Sequence, residues 1–398
     1  MNQKMVRLAL SLTMYTREGV IYSVKLSIRQ PDLVQLIQTV SKAVAVRTTK
    51  QVLSGILLQI QDEVLTATAY DLELGIQATL HSTEDNGLDI TEPGAIVLPA
   101  RVFSDVIRKL PSKEVVLQVH KNYMTEIRSG QAEFHLHGID AAEFPQLPAF
   151  HGAHSIQLPS DVLKDLIKST AFAAANSEVR QILTGIHVIC KSEEITFMAT
   201  DGLRLATRSA RFEQPTEQEW NAIIPSKSLL ELIKLLPDDA RPITMQLTYS
   251  HSLFVIDDTF FYTRLIEGTY PDTTRIVPAT SKTVTIVHSD EIEGAIDRAA
   301  LIARDRENHM IRLELKDETI TVSSSSPEIG NVSESLLVRE KTGEDLSIAF
   351  NARYVLDALR AMMATEVSIQ FNGSNQPFTI IGYNSENGLQ LISPVLMR

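Results

Sequence analysis

Three segments separated by the same interval of 126 residues constrain this chain more than any single residue in it. Arg101, Asp105 and Arg108 stand in PARVFSDVIRKLP, Lys227, Glu231 and Lys234 in PSKSLLELIKLLP, and Arg353, Asp357 and Arg360 in NARYVLDALRAMM. Each segment follows a strand-like run and opens with a helix-initiating Pro or Asn. Base, acid and base then fall at i, i+4 and i+7, which gathers them on one helix face and leaves the other apolar. One such stripe describes any solvated helix surface. Three in register describe a copied unit.

A second landmark repeats at nearly the same period. IRQPDLVQLIQTVSKAV (28–44) aligns with LPSDVLKDLIKSTAFAA (158–174) and VHSDEIEGAIDRAALIA (287–303), each a strand end, an acidic or Pro start and an amphipathic helix. Leu53, Ser54, Gly55 and Ile56 match Leu183, Thr184, Gly185 and Ile186, and TATAYDLEL around Asp71 matches FMATDGLRL around Asp201. The third copy is looser there, with ITVSSSSPEIG. A period of this length is too long for a solenoid unit and predicts an array of independently cored domains.

The 398 residues agree with three domains. The chain is 44% hydrophobic and 22% charged, with no apolar run near the ~20 residues that cross a bilayer. Its single cysteine, Cys190, excludes an intrachain disulfide and sits in GIHVICKSEE as a buried strand position, a structural thiol rather than a nucleophile; a reducing cytoplasm is the expected compartment. Residues 1–23 have no counterpart in the later copies. Lys4 and Arg7 before LALSLTM give only a minimal signal-peptide pattern with no small-residue cleavage site. The segment reads as an N-terminal extension, with an appended strand, a disordered leader or an early start codon as alternatives.

Between the helices run short alternating strands such as VVLQVHK, MTEIRS and AEFHLHG, with turns at Lys121-Asn122 and Ser129-Gly130. Two helices and many antiparallel strands per copy predict α+β domains with the helices gathered on one face of the sheets. The net charge is −12, which alone argues against a nucleic-acid partner. Yet the three striped helices carry +2 over 99–110, +1 over 225–236 and +1 over 351–363. An acidic body with its bases gathered on one class of helix can offer phosphates a local positive surface.

The stretches VLSGILLQI, EPGAIVLPARVFSDVIRKLP, SGQAEFHLHGIDAAEFPQLP, FMATDGLRLA, IIPSKSLLELIKLLP, EGTYPDTTRIVP, IAFNARYVLDAL and LQLISPVLMR carry a family resemblance. ATDGxRLA followed by a G-x-[FY]-P-D segment is its most specific combination. From about residue 24 to its end the chain resembles the bacterial DNA polymerase III β subunit, the sliding-clamp family. The resemblance implies clamp domains at 24–149, 154–278 and 283–398 behind the 1–23 extension, and a head-to-tail homodimer forming a six-domain ring. It implies a processivity factor that encircles duplex DNA without reading sequence, and tethers DNA polymerase III alpha, other replicative and repair polymerases and the clamp loader. No cofactor, metal, membrane or catalysis is expected.

The helices are expected to line the hole, with Arg47, Arg101, Arg108, Lys109, Lys164, Lys168, Lys227, Lys234, Arg353 and Arg360 as the DNA-facing bases; Arg47 and Lys227 fall where the family has basic residues that touch DNA. The family's peptide pocket maps to Leu183, Thr200, Gly202, Arg204, Leu205, Pro271, Arg275, Ile276, Asn351, Tyr354, Leu391, Pro394 and Val395. There the apolar residues form a socket, and Arg204, Asn351 and Tyr354 supply orienting hydrogen bonds. The subunit interface maps to Leu301 and Ile302 against Phe134 and Leu136.

Departures from the family pattern include Leu203, where many relatives have His, the C-terminal Leu396, Met397 and Arg398, and the 1–23 extension. They leave a housekeeping clamp and a divergent second copy both open. Two other function classes are weighed. His135 and His137 share a strand face as potential metal ligands and Asp201 is a conceivable nucleophile, yet no third ligand, G-x-S-x-G, P-loop or H-E-x-x-H accompanies them. A DNA-independent scaffold that keeps only the peptide pocket leaves the basic stripes unexplained. Gly202 and Asp201 could equally make a turn, and Leu205 could be core.

Overall fold

The computed structural model describes residues 24–212, 219–273, 275–303, 309–385 and 387–396; the expected 1–23 extension lies outside them. In the first copy, strand β1 (Val24–Arg29) runs into helix α1 (Gln30–Val40). Strands β2 (Gly55–Gln61), β3 (Val64–Tyr70), β4 (Leu74–His81), β5 (Asp89–Glu92) and β6 (Gly94–Pro99) lead to α2 (Ala100–Arg108), then β7 (Glu114–Val119), β8 (Met124–Ser129) and β9 (Ala132–His137). The second copy has β10 (His154–Pro159), α3 (Ser160–Lys168), β11 (Gly185–Cys190), β12 (Glu194–Thr200) and β13 (Arg204–Arg211). It continues with β14 (Trp220–Pro225), α4 (Ser226–Ile233), β15 (Pro242–Leu247), β16 (His251–Ile256) and β17 (Thr259–Arg264). The third has β18 (Thr283–His288), α5 (Ser289–Ala303), β19 (Met310–Lys316), β20 (Thr319–Ser326), β21 (Gly330–Leu337) and β22 (Glu340–Thr342). It ends with β23 (Leu346–Asn351), α6 (Ala352–Met362), β24 (Glu366–Phe371), β25 (Phe378–Gly382) and β26 (Gly388–Ile392).

The repeat in sequence is a repeat in topology. The first copy orders its strands β1-β7-β8-β9, with β5 on the far side of β1, and β6-β2-β3-β4. The second orders them β10-β15-β16-β17 and β14-β11-β12-β13, and the third β18-β24-β25-β26, with β22 beyond β18, and β23-β19-β20-β21. In each copy the two strands that open a half-sheet feed the two helices, and those helices pack on each other.

Proline explains the shared strand-to-helix corners. Pro99, Pro159 and Pro225 are the N-cap residues of α2, α3 and α4, where a missing N–H costs nothing and a fixed φ starts the turn. Each helix then buries one face at i, i+3 and i+4 spacing: Phe103 and Ile107 in α2, Leu229 and Leu232 in α4, Val355 and Leu359 in α6. Full burial of Phe103 contributes about 1.5–3 kcal/mol. The repeated glycine has a steric cause: a Cβ on Gly55 would lie 2.4 Å from Val97, and one on Gly185 2.4 Å from Ile223. Leu53 and Leu183 pack beside those same two residues.

The described residues divide into two compact units rather than three. The first runs to Leu147 and includes Asp257–Phe260; the second holds the remaining residues from Pro148 onward. Copies two and three merge because β13 pairs antiparallel with β26, Leu205 opposite Leu391 and Ala206 opposite Gln390, in one nine-stranded sheet. Phe172, from the second copy, packs against the core of the third. The buried cluster of the third copy is still built from its own residues, between Val287 and Ile392, with Phe172 packed against it from outside.

Candidate partner pocket and basic helix faces

The Asp201-Gly202 segment forms the tight turn between β12 and β13. The Asp201 carboxylate accepts from the backbone N–H of Leu203 at 2.9 Å and of Arg204 at 3.1 Å, and Gly202 adopts φ +94°, where side chains are strained. Thr200 Oγ1 donates to the Arg204 carbonyl at 2.5 Å and accepts from Gly202 N–H at 3.1 Å. Asp201 is thus engaged by its own turn and by the Arg204 side chain.

Arg204 is 8% exposed and its donors are committed. Nε donates to Asp201 at 3.0 Å, Nη1 to Asp357 of α6 at 2.7 Å and Nη2 to the Phe172 carbonyl at 2.5 Å. The guanidinium also lies 4.6 Å from the Tyr354 ring centroid and 5.3 Å from that of Phe172. Asn351 is engaged on one side: its side-chain oxygen accepts from Arg353 N–H at 2.9 Å as the N-cap of α6. Of the three orienting groups expected from sequence, Arg204 has three of its donors engaged, Asn351 has its side-chain oxygen engaged in the cap, and the Tyr354 hydroxyl has no hydrogen bond among the described residues. Burial and the Asp201 charge raise its pKa above the ordinary tyrosine value.

The remaining pocket candidates connect to this turn. Leu205 and Leu391 are buried and lie opposite each other in the sheet. Leu183 packs with Ile223 and Tyr270, and the Tyr270 hydroxyl accepts from Thr200 N–H at 3.0 Å. Burial pushes that hydroxyl up to about 12, and the ring stacks on His187 at 4.9 Å. Pro271, Arg275 and Ile276 follow on an exposed segment. Pro394 and Val395 are half-buried, with Ser393 N–H on the Leu203 carbonyl at 2.9 Å and Val395 N–H on the Ala349 carbonyl at 2.7 Å. Tyr270, Phe172 and Asp357 were missed as members of this cluster. Asp357 carries a sequence signal as the acid of the third stripe and Tyr270 as the aromatic of the G-x-[FY]-P-D segment; Phe172 carries none.

The basic stripes are as the spacing predicts: Arg101, Arg108, Lys227, Lys234, Arg353 and Arg360 are exposed and Asp105, Glu231 and Asp357 half-buried. Their electrostatics differ. Arg108 pairs with Asp105, Lys234 with Glu231 at 2.6 Å, and Arg360 with Glu293 at 2.7 Å and Asp297 at 3.4 Å. Arg47, Lys109 and Lys168 are exposed and, with Arg101, Lys227 and Arg353, hold no ion pair among the described residues. Lys164 stands apart, only 14% exposed and tied to Asp238 at 2.5 Å.

The chain matches the DNA polymerase III beta subunit in three consecutive stretches: the N-terminal domain over 24–148, the central domain over 157–272 and the C-terminal domain over 274–396. It belongs to the beta sliding-clamp family. The beta sliding clamp of Bacillus subtilis is 42% identical over 374 residues, 93% of this chain and 99% of that protein. A crystal structure of the DNA polymerase sliding clamp from the same organism superposes with a TM-score of 0.92 at 41% identity, covering 94% of this chain and all of that one. A Pseudomonas aeruginosa sliding clamp bound to griselimycin gives 0.88 at 26% identity, covering 95% of this chain and all of that one.

As in those clamps, three α+β clamp domains build the chain. In this clamp Phe134 is 38% and Leu301 49% exposed, with Leu136 and Ile302 half-buried. Both exposed side chains stand on elements next to a sheet edge: β9 ends its five-stranded sheet, and α5 packs on β21, which ends its four-stranded sheet. His135 sits 3.4 Å from Glu133, and no cluster of three metal-ligating side chains joins it or His137 among the described residues. No described helix is long and apolar enough to cross a membrane.

Proposed function

We propose that two copies of this chain close head to tail into a six-domain ring that encircles duplex DNA in the cytoplasm and holds polymerases and the clamp loader by short peptides. It acts by binding, without catalysis, and makes synthesis processive. The observation that carries the reading is the β13–β26 junction. It joins the last strand of one half-sheet in the second domain to the last strand of the complementary half-sheet in the third. β21 of the third domain and β9 of the first hold the same two positions and end their sheets. Pairing β21 of one copy with β9 of another repeats the junction already made inside the chain, and two such pairings join two copies into a closed ring.

Bases repeated once per domain on the helix face suit the hole of such a ring. They meet phosphates without reading base edges, so binding is salt-sensitive and indifferent to sequence. Arg47, Arg101, Lys109, Lys168, Lys227 and Arg353 are the freest of them; Arg108, Lys234 and Arg360 act from within ion pairs. The cluster of Leu183, Thr200, Gly202, Leu205, Tyr354, Leu391, Pro394 and Val395, flanked by Pro271, Arg275 and Ile276, takes the partner peptide. Arg204 and Asn351 shape it through their neighbours.

The test is topological. Protein placed by its clamp loader on nicked circular DNA should co-elute with the circle through high-salt gel filtration and fall off when the circle is linearised. Loss from both forms alike refutes encirclement and favours a scaffold that uses the pocket alone.

A further inference from the structure

Asp357 is the acid of the third basic stripe, yet its partner lies outside that stripe. In the first two stripes the acid turns to the base three residues on, Asp105 to Arg108 and Glu231 to Lys234. The same choice is open to Asp357, with Arg360 at i+3 and Arg353 at i−4 on its own helix. It pairs instead with Arg204, a residue 153 positions away on β13. Arg360 turns to Glu293 and Asp297 of α5.

The grip on Arg204 explains why this arrangement holds. Three hydrogen bonds and two aromatic rings fix the guanidinium, and its side chain is 8% exposed against 27% for Asp357. A desolvated, oriented guanidinium outcompetes a flexible surface base for the carboxylate. We infer that Arg204 is a positioning residue for the DNA face: it holds Asp357 away from Arg353, so that Arg353 meets phosphate with no carboxylate competing for it. This rests on the reading of the striped helices as the DNA-facing surface.

The tie has a second consequence. Tyr354, half-buried in the partner pocket, lies against the same guanidinium. A partner side chain seated on Tyr354 bears on Arg204 and through it on Asp357.

The test uses the full-length protein and a short duplex, titrated by fluorescence anisotropy between 50 and 200 mM salt. Arg204→Gln frees Asp357 to neutralise one base. Because each phosphate contact contributes about 0.9 to the logarithmic salt slope and the ring holds two copies, the slope should fall by about 0.9 if one Arg353 meets phosphate and about 1.8 if both do, and duplex affinity at 50 mM salt should drop about threefold or more. The double variant Arg204→Gln/Asp357→Asn should recover the wild-type slope, because no carboxylate remains to compete. Arg204→Lys, which keeps the charge and guards against loss of the fold, should retain it. An Arg204→Gln protein with the wild-type slope, a double variant as weak as the single one, or Arg204→Lys failing like Arg204→Gln overturns the tie alone. Wild-type protein with no salt-dependent duplex binding overturns the proposed function and the tie with it.

Discussion

Phe172 and Leu301 occupy the same position in two copies of one helical segment, and their surroundings differ. Phe172 packs against the core of the third domain, while Leu301 is 49% exposed. The segment holding Phe172 sits at a junction made within the chain, whereas that holding Leu301 adjoins β21, the end of its sheet. In the proposed ring an intermolecular copy of the same junction would cover Leu301.

Ring closure follows directly. Replacing Leu301 and Ile302 with Ala should remove about 2–5 kcal/mol for each side chain buried in the dimer. Sedimentation should then show the variant at the 44.2 kDa chain mass where the wild type runs at twice that. A double variant that stays dimeric at nanomolar concentration would place the interface elsewhere.

The bases of the three stripes should not contribute equally. Reversing Arg101, Lys227 and Arg353 to Glu should abolish weak duplex binding and slow loading while leaving dimerisation intact. Reversing Arg108, Lys234 and Arg360, already held by acids, should cost less. Filter binding across a salt series compares the two triples; equal losses contradict the assignment.

In the pocket, apolar anchors should dominate. A Gln-x-x-Leu-Phe peptide should bind the wild type with modest affinity, and Tyr354→Ala with Pro394→Ala should weaken it by about 2 kcal/mol or more. Lys227→Glu should leave it unchanged. Calorimetric titration giving the same affinity for all three proteins removes the pocket from these residues.

Asn351 is predicted to act on stability first. Its side chain caps α6, whereas α2, α3 and α4 start at prolines that offer no such bond. Asn351→Ala should cost about 1 kcal/mol in denaturant titration, and Asn351→Asp, which keeps the acceptor, should cost little. Equal losses in the two variants would point to a contact other than the cap.

Burial and the Glu219 charge push the Cys190 thiol up to about 11. At pH 8 about one thiol in a thousand is then ionised, against roughly a quarter at the ordinary cysteine pKa. Iodoacetamide should leave the native protein unmodified and label it once unfolded. Since the folded state holds this proton more tightly, its contribution to stability is intact below about pH 8.5 and declines as pH rises toward 11. Native-state labelling at the rate of a free thiol would contradict this.

The amino-acid sequence determined the repeat and, through it, much of the architecture. Proline at the strand-to-helix corners, glycine where Val97 and Ile223 leave no room for a Cβ, and bases at i and i+7 opposite an apolar face are local constraints. Periodicity states them directly. Tertiary structure alone decided what each polar group was spent on. Arg204 and Asn351 read as groups that orient a partner by hydrogen bonds, and folding ties both to α6, Arg204 by donating to Asp357 and Asn351 by accepting at the cap with its side-chain oxygen. Lys164 reads as a DNA-facing base and folding ties it to Asp238, 74 residues on. Spacing places a side chain on a face, but the identity of its hydrogen-bond partner depends on which distant strand or helix the packed core brings within 3 Å. No local pattern records that choice.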